Sequence, residues 1–196
     1  MSQTDSQEYA DIPAVTDEEL IARVSRGDAI AFEILVNRYR KSALRLAQRF
    51  TGRQTEAEDL AQEAFLQVYS HAHQYNAEVA PFKAWFFAIL GNLCRNAVRR
   101  SNSLSYTELS EDAFAIDDPE GELAHKERRA ALAAAIAKLP LNQRLALILR
   151  YYGDGFSYAE TAAALGLSVN AVKSLLARAK QNLRRETAGG KKKSFN

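Results

Sequence analysis

The sequence predicts an all-α protein of two small helical domains joined by an acidic flexible linker, the second domain containing a helix-turn-helix. Three observations carry this prediction. Apolar residues recur three or four positions apart along successive segments, the spacing that lines one face of a helix, and no segment alternates as a half-buried strand would. Ser or Thr followed three residues later by Glu, the capping-box pattern, opens three of these segments. The stretch from Phe156 to Arg185 reads as a short helix, a tight turn and a longer helix with one polar, basic face.

Residues 1–15 are polar, aperiodic and expected to be disordered. The first domain, 16–101, begins with the Thr16–Glu19 capping box and a helix to about Arg26, broken at Gly27 and Asp28. A long helix follows with the stripe Phe32, Leu35, Val36, Tyr39, Ala43, Leu46 and Phe50, ending at Thr51-Gly52. Thr55 and Glu58 predict a further capping box and a third helix to about His73, with Ala57, Ala61, Ala64, Phe65, Val68 and Ala72 inward. After a loop from Gln74 to Ala80, Pro81 is placed in the first turn of a fourth helix running to about Arg100. Its core face is Phe82, Trp85, Phe86, Ile89 and Leu93.

The composition shifts at Ser101. From Ser101 to His125 there are seven acids (Glu108, Glu111, Asp112, Asp117, Asp118, Glu120 and Glu122) and no Lys or Arg, so 102–121 reads as a linker. The second domain, 122–187, starts with an alanine-rich helix from Glu122 to Lys138. An apolar helix from Leu141 to Tyr152 follows. Ser157 and Glu160 cap the next helix, Gly166 ends it in the left-handed conformation, and Ser168 caps the last. On that helix Val169, Val172, Leu175, Leu176, Ala179 and Leu183 face the core, and Asn170, Lys173, Ser174, Ala177, Arg178 and Gln181 lie opposite. Residues 188–196 form a basic tail, expected to be disordered.

The net charge of +2 is uninformative, but its distribution is not: eight basic residues and one acid lie between Lys173 and Lys193, which points to a nucleic-acid partner. The single cysteine, Cys94, excludes an intrachain disulfide and, in its apolar helical context, reads as a buried inert thiol in a reducing cytosol. The absence of a signal-like segment and of any 18-residue apolar run predicts a cytoplasmic protein without membrane insertion.

Two further faces stand out. On the third helix Asp59, Gln62, Glu63, Leu66 and Ser70 lie opposite the core, either a solvated face or a partner site. No acid occurs from Val79 to Thr107, where Lys83, Asn92, Arg95, Asn96, Arg99 and Arg100 accompany Phe82, Trp85, Phe86 and Phe87. Basic groups beside aromatics suit unstacked single-stranded bases. Trp85 and Phe86 nonetheless read as core, and Phe87 as either core or a stacking surface. Nothing points to catalysis. His71 and His73 diverge around a helix, so they cannot share a metal. No phosphate-binding glycine loop, nucleophile elbow or dinucleotide fingerprint is present. No enzymatic activity, cofactor or metal is expected.

Four segments then carry a resemblance: GDAIAFEILVNRY (Gly27 to Tyr39), AEDLAQEAFLQVY (Ala57 to Tyr69), PFKAWFFAILGNLCRNAVRR (Pro81 to Arg100), and the run from Leu139 to Leu183. In this order and spacing, over roughly residues 17–187, they resemble the extracytoplasmic-function group of the sigma-70 family of bacterial RNA polymerase sigma factors. The resemblance implies that 16–101 is a region 2-like domain and 122–187 a region 4-like domain. It implies that Asp59, Leu60, Gln62, Glu63 and Phe65 dock on core RNA polymerase, whose largest-subunit clamp and flap regions are the implied partners. The loop from Gln74 to Ala80 would capture a flipped base of the −10 element, with Tyr75, Asn76, Trp85, Asn92, Arg95 and Arg99 as its contacts. Asn170, Lys173, Ser174 and Arg178 would read the −35 element in duplex promoter DNA. An anti-sigma factor is a further implied partner, and the acidic linker would thread near the RNA exit path, where its acids could mimic RNA. Leu175 stands where many relatives carry a basic residue, and Ala177 where they carry a larger one, which implies fewer base-edge contacts or a different −35 preference.

Two other readings compete. A stand-alone helix-turn-helix regulator would bind duplex DNA unaided, as a dimer on a palindrome, but would have no use for the clamp-like segment or the aromatic-basic helix. A sigma-like decoy that sequesters an anti-sigma factor would not need the intact basic faces at Arg95 to Arg100 and Lys173 to Arg185.

Overall fold

The computed structural model describes residues 15–101, 123–152 and 155–190. The linker acids up to Glu122, the residues before Val15 and the lysines of the tail lie outside them. Within the described residues the fold is helical, with α1 (Asp17–Val24), α2 (Ala29–Thr51), α3 (Gln54–His71) and α4 (Phe82–Ser101) in the first domain. The second comprises α5 (Leu123–Ala137), α6 (Leu141–Tyr152), α7 (Tyr158–Leu165) and α8 (Val169–Gly190).

The helix starts follow local chemistry. Thr16 Oγ1 accepts from the Glu19 amide at 3.1 Å and Glu19 Oε2 accepts from the Thr16 amide at 2.9 Å, the expected capping box. Asp28 caps α2 through the Ala31 amide at 3.0 Å and pairs with Arg23 at 2.7 Å. The box expected at Thr55 and Glu58 does not form. Gly52 turns left-handed at the end of α2, Arg53 is extended and lends no side-chain cap, and α3 already begins at Gln54. Glu58 accepts from Gln54 Nε2 at 3.1 Å instead. The helix ends at His71, and Ala72–Gln74 tighten into a 3₁₀ turn. Pro81 precedes α4 rather than entering it, and its carbonyl accepts the Trp85 amide at 3.1 Å. α8 continues through Gly190, past the boundary expected at Thr187.

In the first domain α2 packs on α1, α3 and α4. Asp17 ties α1 to α2 through Arg38 at 2.7 Å and through the Tyr39 hydroxyl, which donates to it. Phe82, Phe86 and Phe87 are buried, and Phe86 stacks on Phe65 with centroids 4.9 Å apart. Phe87 is therefore core. Trp85 is only half-buried, because its ring covers Tyr75 and Phe82 at the domain edge rather than entering the centre. In the second domain Ile136, Ala146, Leu147, Val172, Leu176 and Ala179 form a core of their own. Lys138 pairs with Glu186 at 2.8 Å and Asn182 Nδ2 donates to Gln143 Oε1 at 2.9 Å, both holding α8 to its own domain.

The domains touch along a seam of α4 on α7 and α2 on α6. Leu145, Ile148, Leu149 and Phe156 continue the hydrophobic cluster of the first domain across it.

Candidate nucleic-acid and partner interfaces

The last two helices form the expected helix-turn-helix. Ser157 Oγ accepts the Glu160 amide at 3.1 Å and Glu160 Oε2 accepts the Ser157 amide at 2.7 Å, closing the start of α7. Gly166 ends α7 at φ 64°, where any residue with a Cβ is strained, and the Leu167 amide returns to Ala162 O at 2.9 Å. Ser168 Oγ caps α8 through the Ala171 amide at 3.2 Å. Val172, Leu176 and Ala179 fix the inner face of α8, so Asn170, Lys173, Ser174, Ala177, Arg178 and Gln181 are all exposed. That is the face a recognition helix offers to a major groove. Leu175 is half-buried against the second core, so it packs rather than reaches outward. Sequence reasoning did not single out the aromatic-basic patch beside this face. Lys180 lies over the Tyr151 ring at 4.9 Å and Arg150 over Tyr158 at 4.8 Å. The hydrogen bond and charge of Lys180 hold the Tyr151 hydroxyl below its ordinary pKa.

On α4, Asn92, Asn96 and Arg99 are exposed and Arg95 is half-buried. Arg95 donates to Asn92 Oδ1 and, across the seam, to Asn142 Oδ1 at 3.3 Å. Burial, then the charge of Arg99, lowers its pKa. These four side chains form one wall of a cleft of about 300 Å³ whose other wall is Asn142, Leu165 and Leu167.

The loop before α4 is closed by an Asx-type turn: Asn76 is exposed, but its Oδ1 accepts the Glu78 amide at 2.8 Å. Val79, 80 % exposed, sits at its tip. Tyr75 is half-buried, with its hydroxyl donating to Ala80 O at 3.0 Å and its ring 5.3 Å from Trp85. Burial, then the charge of Glu18, pushes the Tyr75 hydroxyl up to about 12. Tyr75 and Trp85 thus brace the loop from beneath, while Asn76 and Val79 carry its surface.

On α3, Asp59, Gln62 and Glu63 share an exposed face, but Leu60 (7 % exposed) and Phe65 (8 %) lie in the core. Both point inward because they fall on the same helical stripe as Ala61, Ala64 and Val68, and they can support a docking surface without forming it. The apolar component of this face is Leu66 (53 % exposed) and Tyr69 (48 %), beside a groove of about 400 Å³ lined by Phe32, Val36, Leu44, Gln62, Phe65 and Leu66. Among the described residues no group of His, Cys, Asp and Glu could hold a metal ion, and no helix is long and apolar enough to cross a membrane.

Residues 35–103 match Sigma-70 region 2, and residues 129–183 match Sigma-70, region 4. Two such helical domains define a transcription initiation factor. The RNA polymerase sigma-H factor of Pseudomonas aeruginosa is 32% identical over 176 residues, covering 84% of this chain and 90% of that protein. The ECF RNA polymerase sigma-E factor of Escherichia coli K12 is 31% identical over 178 residues, covering 85% and 92%. Among solved structures, CnrH in complex with the cytosolic domain of CnrY superposes with a TM-score of 0.67 at 26% identity, over 88% of this chain and 97% of CnrH. RpoE in complex with the anti-sigma factor NepR from Bartonella quintana gives 0.57 at 25%, over 80% and 98%. The chain belongs to the ECF group of the sigma-70 family of RNA polymerase sigma factors. It directs RNA polymerase to specific promoters.

Proposed function

We propose that three separate surfaces divide this work. The α3 face of Asp59, Gln62 and Glu63, backed by Leu60 and Phe65 and extended by Leu66 and Tyr69, docks on core RNA polymerase. The Tyr75–Ala80 loop, with Asn76 outward and Tyr75 and Trp85 beneath, receives a base flipped from the −10 element. Asn92, Arg95 and Arg99 hold the adjacent strand. Extruding a base costs a few kcal/mol, least where the duplex is weak, so capture and strand opening are coupled. Asn170, Lys173, Ser174 and Arg178 read the −35 element while it is still duplex. Two weak contacts on one chain add through effective concentration. The factor acts in the cytoplasm without catalysis of its own. An anti-sigma factor restrains it, a reading supported by the inhibitor-bound state of RpoE in its complex with NepR.

The observation that carries this reading is the exposed polar face of α8 in the same chain as an acid-free, aromatic-backed face on α4. Run-off transcription with purified core polymerase and a promoter library tests it. Core-dependent, sequence-selective initiation is expected. A specific footprint by the protein alone, with no initiation on any template, would favour a stand-alone regulator.

A further inference from the structure

Along one edge of α8 the proposed −35 face continues onto α6 and α7. Lys173 and Lys180 are seven residues apart, about two helical turns, so they stand on one line along α8, about 10 Å from each other. Arg178 lies about 140° around the helix from Lys173. Two rings back that line. Lys173 is 5.8 Å from the centre of the Tyr158 ring, and Lys180 is 4.9 Å from the centre of Tyr151. Arg150 stands between the rings, 4.8 Å from Tyr158 and 5.5 Å from Tyr151. Its Nε is buried and meets no acceptor among the described residues, so the guanidinium lies against the two rings. Tyr151 is 44 % exposed and Lys180 is exposed, which leaves the far end of the strip open to a ligand.

We propose that Tyr151 and Lys180 grip a backbone phosphate of duplex DNA beside the −35 element, with Arg150 as the residue that positions them. The proposal rests on α8 reading the −35 duplex, and it adds a contact outside the four residues assigned to that task. The donors suit a phosphate. The Tyr151 oxygen accepts from Lys180 and from Tyr158, which leaves its own O–H to donate outward. An ammonium has three N–H donors, and Lys180 spends one on Tyr151, so two remain. The pair thus offers three donors on an exposed edge. The local field suits a phosphate as well. The hydrogen bond and charge of Lys180, then the Tyr158 hydroxyl and the charge of Arg150, hold the Tyr151 phenol below its ordinary pKa of 10.0. A field that favours a phenolate also favours a phosphate oxygen. Position argues against a base contact. Lys180 lies in the fourth turn of α8, whereas base edges are met by the N-terminal residues of a recognition helix. Continuity argues for DNA over an acidic peptide, because Lys173 belongs both to this strip and to the proposed −35 face. Phosphate contacts fix register and base contacts specify, so a phosphate held at Tyr151 and Lys180 sets how the first turn of α8 meets the groove.

The test uses holoenzyme assembled from core polymerase and the full chain, with a promoter duplex recovered from run-off selection. Wild type, Lys180→Ala, Lys180→Arg and Tyr151→Phe are compared for melting and for affinity from about 0.1 M to about 1 M salt. Neutral methylphosphonate linkages are placed singly along both strands around the −35 element. Lys180→Ala should lower the slope of log affinity against log salt by about 1, a loss of about eightfold at 0.1 M salt that fades toward 1 M, with the selected sequence unchanged. Lys180→Arg should keep the slope. Tyr151→Phe keeps the ring and loses the O–H, so it should bind roughly two- to tenfold more weakly at every salt concentration. One neutral linkage should weaken the wild type and leave Lys180→Ala unaffected. Should Tyr151→Phe fail to fold, Lys180→Ala and the linkages decide. A cation that only packs on a ring produces none of these effects. A wild-type slope in Lys180→Ala, with no linkage whose effect it abolishes, overturns the proposal. Relaxed preference at one base pair in Lys180→Ala overturns it in favour of a base contact, and wild-type affinity in a folded Tyr151→Phe overturns the paired grip. Effects of alanine at Lys173 and Arg178 with none at Lys180 sink the proposal alone. If alanine at all three leaves affinity, slope and sequence unaltered, α8 is not the −35 reader and the proposal falls with that reading.

Discussion

Glu160 and Lys83 meet across the two domains, with Oε1 of the carboxylate 3.5 Å from the Lys83 ammonium. The other oxygen of the same carboxylate accepts the Ser157 amide at 2.7 Å and closes the first turn of α7. One side chain therefore caps α7, which sets the turn into the proposed recognition helix, and pairs with α4, which carries the proposed strand-reading face.

A pH dependence follows. Burial alone would raise the pKa of Glu160, but the hydrogen bonds from Ser157 and the charge of Lys83 outweigh it and hold it below its ordinary 4.5. Hydrogen bonds from the Thr16 backbone and side chain lower Glu19, and those from Ala31 and Arg23 lower Asp28. A depressed carboxylate stabilises the folded state above its unfolded pKa, and that contribution is lost as pH falls through the folded one. Thermal midpoints should thus be level from neutrality down to about pH 5 and fall steeply below the ordinary carboxylate range, near 4. Glu160→Gln should flatten part of that fall. An identical acid profile in the variant would show that Glu160 contributes nothing to it.

The two capping boxes can be separated by domain. Thr16→Ala and Ser157→Ala should each cost about 1 kcal/mol, the usual loss for an N-cap. Hydrogen exchange should localise the first loss to α1 and the second to α7. Ser157→Ala should also weaken duplex binding, because α7 sets the angle of α8. Exchange that is unchanged in α7 would mean the backbone holds the turn without the cap.

Much of this was legible in the chain because it is local. The boxes at Thr16 and Ser157, the left-handed Gly166 and the inner stripe of α8 depend on neighbours a few residues away. The Thr55–Glu58 box failed for a local reason as well: the left-handed turn at Gly52 lets α3 begin before Thr55, leaving that hydroxyl no helix end to cap. It is the family resemblance that places Leu60 and Phe65 in a docking segment; periodicity already turns Phe65 inward, and both side chains are buried. The seam was invisible because it joins residues such as Gly91 and Leu145 that share no local pattern. Arg144 depends on equally distant neighbours: it is 1 % exposed on α6, with its guanidinium 4.9 Å from the Phe50 ring and donating to Arg49 O at 3.4 Å.

The two kinds of residue on α3 should behave in opposite ways. Phe65→Ala removes a buried ring stacked on Phe86 and should cost about 3–5 kcal/mol of stability, a large share of a total of roughly 5–15. Asp59→Arg and Glu63→Arg change exposed groups and should leave the melting midpoint within a degree or two, since surface substitutions stay within about 0.5 kcal/mol. They should instead weaken binding to core polymerase at least tenfold. Full polymerase affinity in both charge reversals would move the docking surface away from α3.

Cys94 offers a probe of opening that needs no substitution. Its thiol is fully buried in α4, and burial pushes its pKa up to about 12, so almost no thiolate exists at neutral pH. A disulfide reagent should label it only after global unfolding, at a rate that tracks denaturant. Rapid labelling of the native chain would show that the α4 core breathes locally, since Cys94 packs within the first domain as well as near Arg144.

Under the proposed −35 role, the exposed side chains of α8 would divide into those that hold phosphate and those that read bases, and salt separates the two. Loss of a phosphate contact weakens every sequence alike and lowers the slope of log affinity against log salt by about 1, whereas loss of a base contact costs about 1–3 kcal/mol and relaxes preference at one position. Lys173 stands 5.8 Å from the Tyr158 ring near the start of α8, and Arg178 lies five residues, about 1.4 turns, further on, both exposed. The N-terminal residues of a recognition helix approach the bases, so Lys173→Ala should change sequence preference and Arg178→Ala the salt slope. Binding of a −35 duplex library at several salt concentrations measures both quantities at once. If Lys173→Ala lowers the slope and leaves the selected sequence intact, α8 enters the groove deeper along its length than its first turn, and the base-reading assignment passes to Arg178.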